Sequence, residues 1–314
     1  MADLSRLEGK TILVTGATGF IGRHLVTALG HVAGARVVLL SRGASTHVPR
    51  NAVTVTCALE HLSADTWRAQ DVHHIDAVFH LGAFTPKTRA DADRVDPIYR
   101  DNLLGTRALL DSLSARPEVV VFSSTLDVYA PATTGIPLTE TSPLGPATLY
   151  GGSKLFCEQL IRAYGKTAGC RTAVLRYGHI FGPGEEAYGK LIPLTIRRLL
   201  KGEPPTLDGD GSAERDLLYV EDAVEATLRA AVAPRDEIGP LNVVRGSSRP
   251  IRDVVNTLVR LTGFEGTIQF RAEQPTGASL RFDNRLMRET LGAWPLVSLD
   301  DGLKREVDYA KGRA

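Results

Sequence analysis

The stretch from Thr11 to Leu29 constrains the fold more than any other part of the chain. An apolar run, Thr11 to Thr15, leads directly into Thr15-Gly16-Ala17-Thr18-Gly19-Phe20-Ile21-Gly22, and helical periodicity follows to Leu29. This is the glycine spacing of a phosphate-binding turn between the first strand and first helix of a βαβ unit. Gly16 permits the tight turn, Gly19 lets backbone N–H groups approach a pyrophosphate, and Gly22 lets the helix pack on the strand. The helix N-terminus then faces the anion. A glycine-rich turn that binds nothing is the alternative, and the position between strand and helix speaks against it. Gly16, Thr18, Gly19, Phe20, Ile21 and Gly22 are therefore expected to bind a nicotinamide dinucleotide.

Further along, short Val/Ile/Leu-rich runs alternate with segments of helical period, the pattern of stacked βαβ units. Strands are expected at Thr11 to Thr15, Val37 to Leu40, Val53 to Thr56, Ala77 to Leu81, Val119 to Ser123 and Thr172 to Arg176. None alternates strictly between apolar and polar, so each is expected to be covered on both faces. Helices are expected at Gly22 to Leu29, Ala64 to Gln70, Asp101 to Leu113 and Ser153 to Ala168. The fold class is α/β: a Rossmann-type doubly wound parallel sheet with a smaller C-terminal α/β substrate-binding domain. Gly182-Pro183-Gly184, Pro204-Pro205 and Gly209-Asp210-Gly211 loosen the rhythm after about residue 180. This divides the chain into 1–180, with 216–235 packing back on it, and 181–314, with the substrate in the cleft between.

Charge and cysteine usage exclude several functions. The 37 Lys and Arg balance 36 Asp and Glu, which leaves no net field to draw nucleic acid or an anionic membrane. Cys57, Cys157 and Cys170 are widely spaced, with no C-x-x-C and no His at metal spacing, so buried free thiols and no metal are expected. No apolar leader opens the chain and no run reaches about 18 apolar residues, making the cytoplasm the default compartment.

The second strand ends in Leu40-Ser41-Arg42, where a carboxylate often holds the adenosine ribose. A guanidinium there suits a 2′-phosphate, which favours NADP over NAD, with Ser41 and Arg42 as the contacts; a solvated loop arginine is the alternative. Tyr150-Gly151-Gly152-Ser153-Lys154 places a phenol and an ammonium one helical turn apart on one face. A free phenol has a pKa near 10, so Tyr150 needs the cation of Lys154 to shuttle protons at neutral pH. The fifth strand ends in Phe122-Ser123-Ser124-Thr125-Leu126-Asp127, which offers Thr125 as a hydrogen-bond donor to the reacting oxygen. A Ser/Thr turn that caps its own backbone is the competing reading.

Together these motifs resemble the extended short-chain dehydrogenase/reductase family, in particular its nucleotide-sugar epimerases, dehydratases and ketoreductases. The resemblance rests on Thr15 to Gly22, Asp76 to Leu81, Asn102 with Gly105-Thr106, Ser123 to Tyr129, Tyr150 with Lys154, and Arg176 to Gly184. Gly209-Asp210-Gly211, Arg215-Asp216 and Tyr219 to Asp222 extend it, as does Arg281 before Asp283. It implies a Thr125, Tyr150, Lys154 triad and cofactor contacts from Leu81, Gly82, Ala83, Asn102, Ser123 and Tyr177. It also implies substrate contacts from Thr85, Thr125 and His179, with Arg215 and Arg281 clamping a nucleotide-linked diphosphate, and ordinary ion pairing as the alternative for both arginines. Members are often homodimers, for which the helices Asp101 to Leu113 and Ser153 to Ala168 are available. Three departures stand out. Ser41-Arg42 replaces an Asp, the adenine-contacting Asp after the third strand is replaced around Ala58, and His179 replaces an Asn and is expected to be a satisfied loop histidine.

For the reaction, the resemblance leaves a choice. Dehydratases of the family carry Thr-Asp-Glu or Thr-Ser-Glu where this chain has Thr125-Leu126-Asp127, so dehydration would fall to Asp127 alone. Ketoreduction at carbon 4 of a nucleotide-4-keto-hexose comes first because of Arg42, with 4-epimerisation next and dehydration third. A reductase of another carbonyl compound would keep the triad without needing both arginines. A catalytically silent dinucleotide-binding protein would keep the glycines but lose Tyr150 or Lys154, and both are present.

Overall fold

The computed structural model describes residues 2–43, 48–131, 135–187, 189–271 and 279–312. Seven strands form one parallel sheet: β1 (Thr11–Thr15), β2 (Arg36–Ser41), β3 (Ala52–Thr56), β4 (Ala77–His80), β5 (Val119–Thr125), β6 (Arg171–Tyr177) and β10 (Glu237–Val243). Their order is β10-β6-β5-β4-β1-β2-β3, so the winding reverses at β1, between β2 and β4. A ligand crevice is expected outside the strand ends at such a reversal. Successive residues of β1 explain the unbroken apolar run: Ile12 and Val14 enter the core on one face of the sheet, Leu13 the core on the other.

The first core is covered by α1 (Phe20–Leu29) and α7 (Val220–Val232), through Leu25, Leu29, Val224 and Leu228. On the opposite face lie α2 (Ala64–Arg68), α4 (Gly105–Ser112) and α5 (Leu149–Ala168), contributing Trp67, Leu109, Cys157 and Ile161. A three-residue helix, α3 (Val95–Pro97), and a π-helical stretch, Ile98–Leu104, precede α4. The remaining elements are β7 (His179–Phe181), β8 (Thr206–Leu207), β9 (Glu214–Tyr219), β11 (Ser248–Pro250), β12 (Gln269–Phe270), α6 (Leu191–Leu200), α8 (Ile251–Thr262), α9 (Arg285–Leu291) and α10 (Leu299–Lys311). They build a three-stranded sheet, β11-β9-β7, and a β12-β8 pair. Among the described residues no helix is long and apolar enough to cross a membrane.

The structure departs from the sequence reading in four places. The seventh strand, β10, was not expected, because Gly239-Pro240 interrupts it; as an edge strand it tolerates the break as a register shift between Ile238 and Leu241. It joins the main sheet from a region assigned to the second part of the chain. The helix expected over Asp101 to Leu113 is two elements, with Asp101 and Asn102 in the π-helical turn. Helix α5 begins at Leu149 rather than Ser153, because the Thr148 hydroxyl caps it by accepting from Gly151 N at 3.1 Å. Cys157 and Cys170 are buried free thiols, but Cys57 is only half-buried.

Candidate active site

The glycine turn forms as its sequence requires. Gly16 has φ +68, and a Cβ there would lie 2.8 Å from Gly82 N, so turn and β4 end meet backbone to backbone. A Cβ on Gly22 would collide with Gly16 O, which seats α1 against the turn. Gly19 caps α1 without a side-chain hydrogen bond, leaving the first-turn amides to a ligand. From this turn a cleft runs along Leu81, Gly82, Ala83 and Thr85 to a far end formed by Leu40, Ser41, Arg42, Cys57, Leu59, Glu60 and Asp101. Uncapped amides at one end and apolar walls with carboxylates at the other suit the adenosine diphosphate half of a dinucleotide. Sequence reasoning missed Cys57, Leu59, Glu60 and Asp101 because they converge only through β3, its following turn and the π-helical stretch.

Several expected cofactor contacts act indirectly. Asn102 Oδ1 accepts from Phe84 N at 2.7 Å and its Nδ2 donates to Ser153 Oγ at 2.9 Å, so it positions the Gly82–Thr85 loop against α5. The Ser41 hydroxyl donates to Gly43 O. Phe20 is buried, edge-on to His24. Tyr177 needs correction: its side chain lies in the core with its hydroxyl 2.5 Å from Thr227 Oγ1 on α7, which leaves only its main chain for a ligand. His80, wholly buried, is held down to about 3 by desolvation and stays neutral. Thr15 Oγ1 accepts from Gly82 N at 2.8 Å and is hydrogen-bonded to His80 Nδ1 at 2.7 Å, while His80 Nε2 is hydrogen-bonded to Thr106 Oγ1 at 2.9 Å.

The triad sits further along the same sheet edge. Thr125 ends β5 and caps the following turn, Leu126–Val128, by accepting from Asp127 N at 3.2 Å. The capping role is therefore real, and the one hydroxyl hydrogen, which bonds the Asp127 carboxylate, must turn from it to donate to a ligand. A Cβ on Gly151 would collide with Asp127 O, so that turn and the first turn of α5, which carries Tyr150, lie in backbone contact. One turn on, Lys154 is buried with Nζ 4.6 Å from the Phe122 ring centroid, and desolvation brings its ammonium down to about 8. Beneath the triad, Glu158 of α5 accepts from Ser124 Oγ at 2.5 Å and from Arg176 Nε and Nη2 at 2.9 and 2.8 Å. This buried pair joins β5, β6 and α5, and it too was missed. Asp127 is exposed at the mouth, its carboxyl raised by desolvation and lowered by the Thr125 hydrogen bond.

On the substrate side, Arg215 and Arg281 converge on one residue. Arg215 donates to Glu214 O at 2.7 Å and Arg281 Nε to Glu214 Oε2 at 2.5 Å. His179 differs from the expected satisfied loop histidine: its Nδ1 is buried with no hydrogen-bond partner among the described residues. Burial, with Arg215 and Lys190 nearby, brings it down to about 4, so it is neutral at physiological pH. Thr85 is exposed at the rim of the cleft.

Fold and site together define a dinucleotide-dependent α/β enzyme. Residues 12–244 match the NAD dependent epimerase/dehydratase family, and the chain belongs to it, in the nucleotide-sugar branch of the extended short-chain dehydrogenases/reductases. UDP-glucose 4-epimerase of Azospirillum brasilense is 30% identical, over 94% of this chain and 90% of that protein. The dTDP-glucose 4,6-dehydratase of Neisseria gonorrhoeae is also 30% identical, over 96% of each. Among solved structures, UDP-glucose 4-epimerase of Thermotoga maritima with UDP-glucose aligns at TM-score 0.85 and 29% identity, over 96% of this chain and 99% of that one. The Thermus thermophilus UDP-glucose 4-epimerase complex with NAD aligns at TM-score 0.82 and 27% identity, over 97% and 100%. The chain is an oxidoreductase-type enzyme of this epimerase/dehydratase family, whose homologues are NAD-dependent.

Proposed function

We propose that this protein is a nucleotide-sugar 4-epimerase, acting on a UDP-hexose with a retained NAD. The carrying observation is the seating of the triad: Gly151 against the carbonyl of Asp127 brings the turn after Thr125 to the helix start bearing Tyr150, with Lys154 buried one turn on. Bound NAD, held at the glycine turn by the amides of residues 19–22, would supply reversible hydride exchange at the sugar carbon. Tyr150 takes the hydroxyl proton and gives it back, Thr125 donates a hydrogen bond to the same oxygen, and Lys154 holds the phenol in its reactive state. Arg215 and Arg281 bind the diphosphate, while the sugar sits between residues 1–180 and 181–314.

Leu126 supports epimerisation over dehydration, because where the family's dehydratases carry Asp or Ser it is buried in an apolar cluster with Val128, Tyr129, Val244 and Phe282, which leaves Asp127 as the one carboxyl of that turn. The ketoreduction that Arg42 favoured loses its main support, since Arg42 is 3.0 Å from Asp101 in an ion pair. We further infer a homodimer, from the apolar side chains of Val95, Tyr99, Leu104 and Phe156 exposed on neighbouring helical elements.

Denaturing the purified protein and identifying the released cofactor, then incubating it with UDP-glucose, tests the reading. Stoichiometric NAD and formation of UDP-galactose without net change in nicotinamide absorbance is expected. Steady consumption of added NADPH with a nucleotide-4-keto sugar would establish a reductase instead.

A further inference from the structure

Four charged side chains close the far end of the dinucleotide cleft, and their arrangement explains how a chain lacking an acid at the end of β2 selects its cofactor. Arg42 Nη1 lies 3.0 Å from Asp101 Oδ2, Arg100 Nε lies 2.8 Å from Asp101 Oδ1, and the same Nε is 3.2 Å from Glu60 Oε1. The Asp101 side chain is 8% exposed, whereas that of Arg42 is 69% exposed. Arg42, Glu60 and Asp101 all line the cleft.

We infer that Asp101, delivered by the π-helical turn rather than by β2, is the carboxylate that accepts from the adenosine ribose hydroxyls and makes this enzyme select NAD against NADP. This rests on the dinucleotide reading of the cleft. A carboxylate presents about four lone-pair sites, and the two arginines use two, which leaves two for a vicinal diol. The diol brings O–H donors. A 2′-phosphate brings only acceptor oxygens and would meet the carboxylates of Asp101 and Glu60, with Arg42 already committed to Asp101. Arg42 is thus the partner that holds Asp101 in place and not the phosphate anchor its position implies. Leu40 and Leu59 supply apolar walls beside it, suited to the flat face of a base.

Cofactor-stripped full-length protein is titrated with NAD+ and NADP+, following intrinsic fluorescence, for the wild type, Asp101→Asn and Arg42→Ala, with circular dichroism as a check on folding. The wild type is expected to bind NAD+ at least about tenfold more tightly than NADP+. Asp101→Asn removes one of the two opposing carboxylates and frees Arg42, while Arg100 stays beside Glu60, so the ratio shifts toward NADP+ by about tenfold or more. Arg42→Ala, at an exposed position, loosens Asp101 without removing a phosphate anchor, so NAD+ binding should weaken by about threefold or more with NADP+ binding little changed, and it serves as the deciding arm if Asp101→Asn does not fold. Wild-type preference for NADP+, an Asp101→Asn ratio within about twofold of the wild type, or an Arg42→Ala variant that loses NADP+ affinity while keeping that for NAD+ would each overturn the assignment. Binding is read without turnover, so selective NAD+ binding in a protein that leaves UDP-sugars unchanged would sink the epimerase reading alone.

Discussion

Around the glycine turn and the triad, position is enforced by main chain against main chain. Gly16 meets Gly82, Gly22 meets the carbonyl of Gly16, and Gly151 meets the carbonyl of Asp127, each at a separation that leaves no room for a Cβ. Around Arg215 and Arg281, by contrast, position is set by side chains that lean on one another: the two arginines share Glu214, and His179 has a buried nitrogen with no partner among the described residues. Backbone contacts cannot adjust to a ligand, whereas a guanidinium can exchange a carboxylate for a phosphate. The first half therefore fixes the chemistry and the second adapts to what is bound.

The sharpest test of this contrast lies at the reacting centre. Tyr150→Phe keeps the ring that is buried near the start of α5 but removes the proton carrier, so kcat should fall about 10²–10⁴-fold with KM and bound NAD little changed. A fall confined to KM would show that Tyr150 only binds substrate. Next in size is Gly151→Ala, which adds a single methyl group far smaller than any substrate. Because that Cβ would overlap the Asp127 carbonyl and the stiff ring of Pro146, the start of α5 must move off the turn after Thr125. Loss of about 10–10²-fold in kcat is expected, together with about 2 kcal/mol or more in stability by denaturant titration. Unchanged kcat would mean that the seating of Tyr150 against Thr125 does not matter.

This same division governs what could be read without coordinates. The glycine turn, six of the seven sheet strands and the Tyr150–Lys154 pair announce themselves because their geometry is local: a tight turn, apolar strands and one helical turn each leave a pattern within a few residues. Edge strand β10 escaped because Gly239-Pro240 looks like a break, and only the neighbouring β6 makes it a strand. Asp101 escaped because its meaning depends on Arg42, 59 positions away, and on a π-helical turn that periodicity cannot distinguish from an ordinary helix. Glu158, recorded only as part of a helix, gains its role from Ser124 and Arg176 on two other elements. Tyr177 shows the opposite failure, since a family motif placed it at the ligand while the fold turned its hydroxyl toward Thr227.

A third measurement probes the adaptable half through its stability. Glu306 of α10 is buried, its Oε2 has no partner among the described residues, and desolvation together with Glu185 and Glu186 raises it to about 8. A carboxyl raised above its unfolded value favours the fold below the unfolded pKa, and that contribution is lost as pH climbs through the folded value. Wild-type stability should therefore fall between about pH 4.5 and 8, and Glu306→Gln should flatten the fall. The variant should be more stable than the wild type at pH 8, by a few kcal/mol at most, with the gap closing near pH 5. Parallel stability curves for the two proteins would show that Glu306 stays ionised in the fold.

The smallest effect is expected at Arg281. Its guanidinium is half-exposed and already paired with Glu214, so binding a diphosphate there exchanges one anion for another instead of filling an empty site. Removing it by Arg281→Ala also releases Glu214, whose carboxylate then opposes the incoming phosphates. KM for a UDP-sugar should rise by about 3–10-fold with kcat unchanged, and the difference from wild type should shrink as salt is added, because an exposed pair is readily screened. Arg215, half-buried and held by the carbonyl of Glu214, is shielded from counterions where Arg281 is not, so Arg215→Ala should cost more and should keep most of its cost in salt. If the two variants behave alike at every ionic strength, the diphosphate is held as a fixed clamp and the adaptable half is as rigid as the glycine turn. If Arg281→Ala lowers kcat instead, the arginine acts on the reacting sugar, and the boundary between the chemistry and the binding halves must be redrawn to include it.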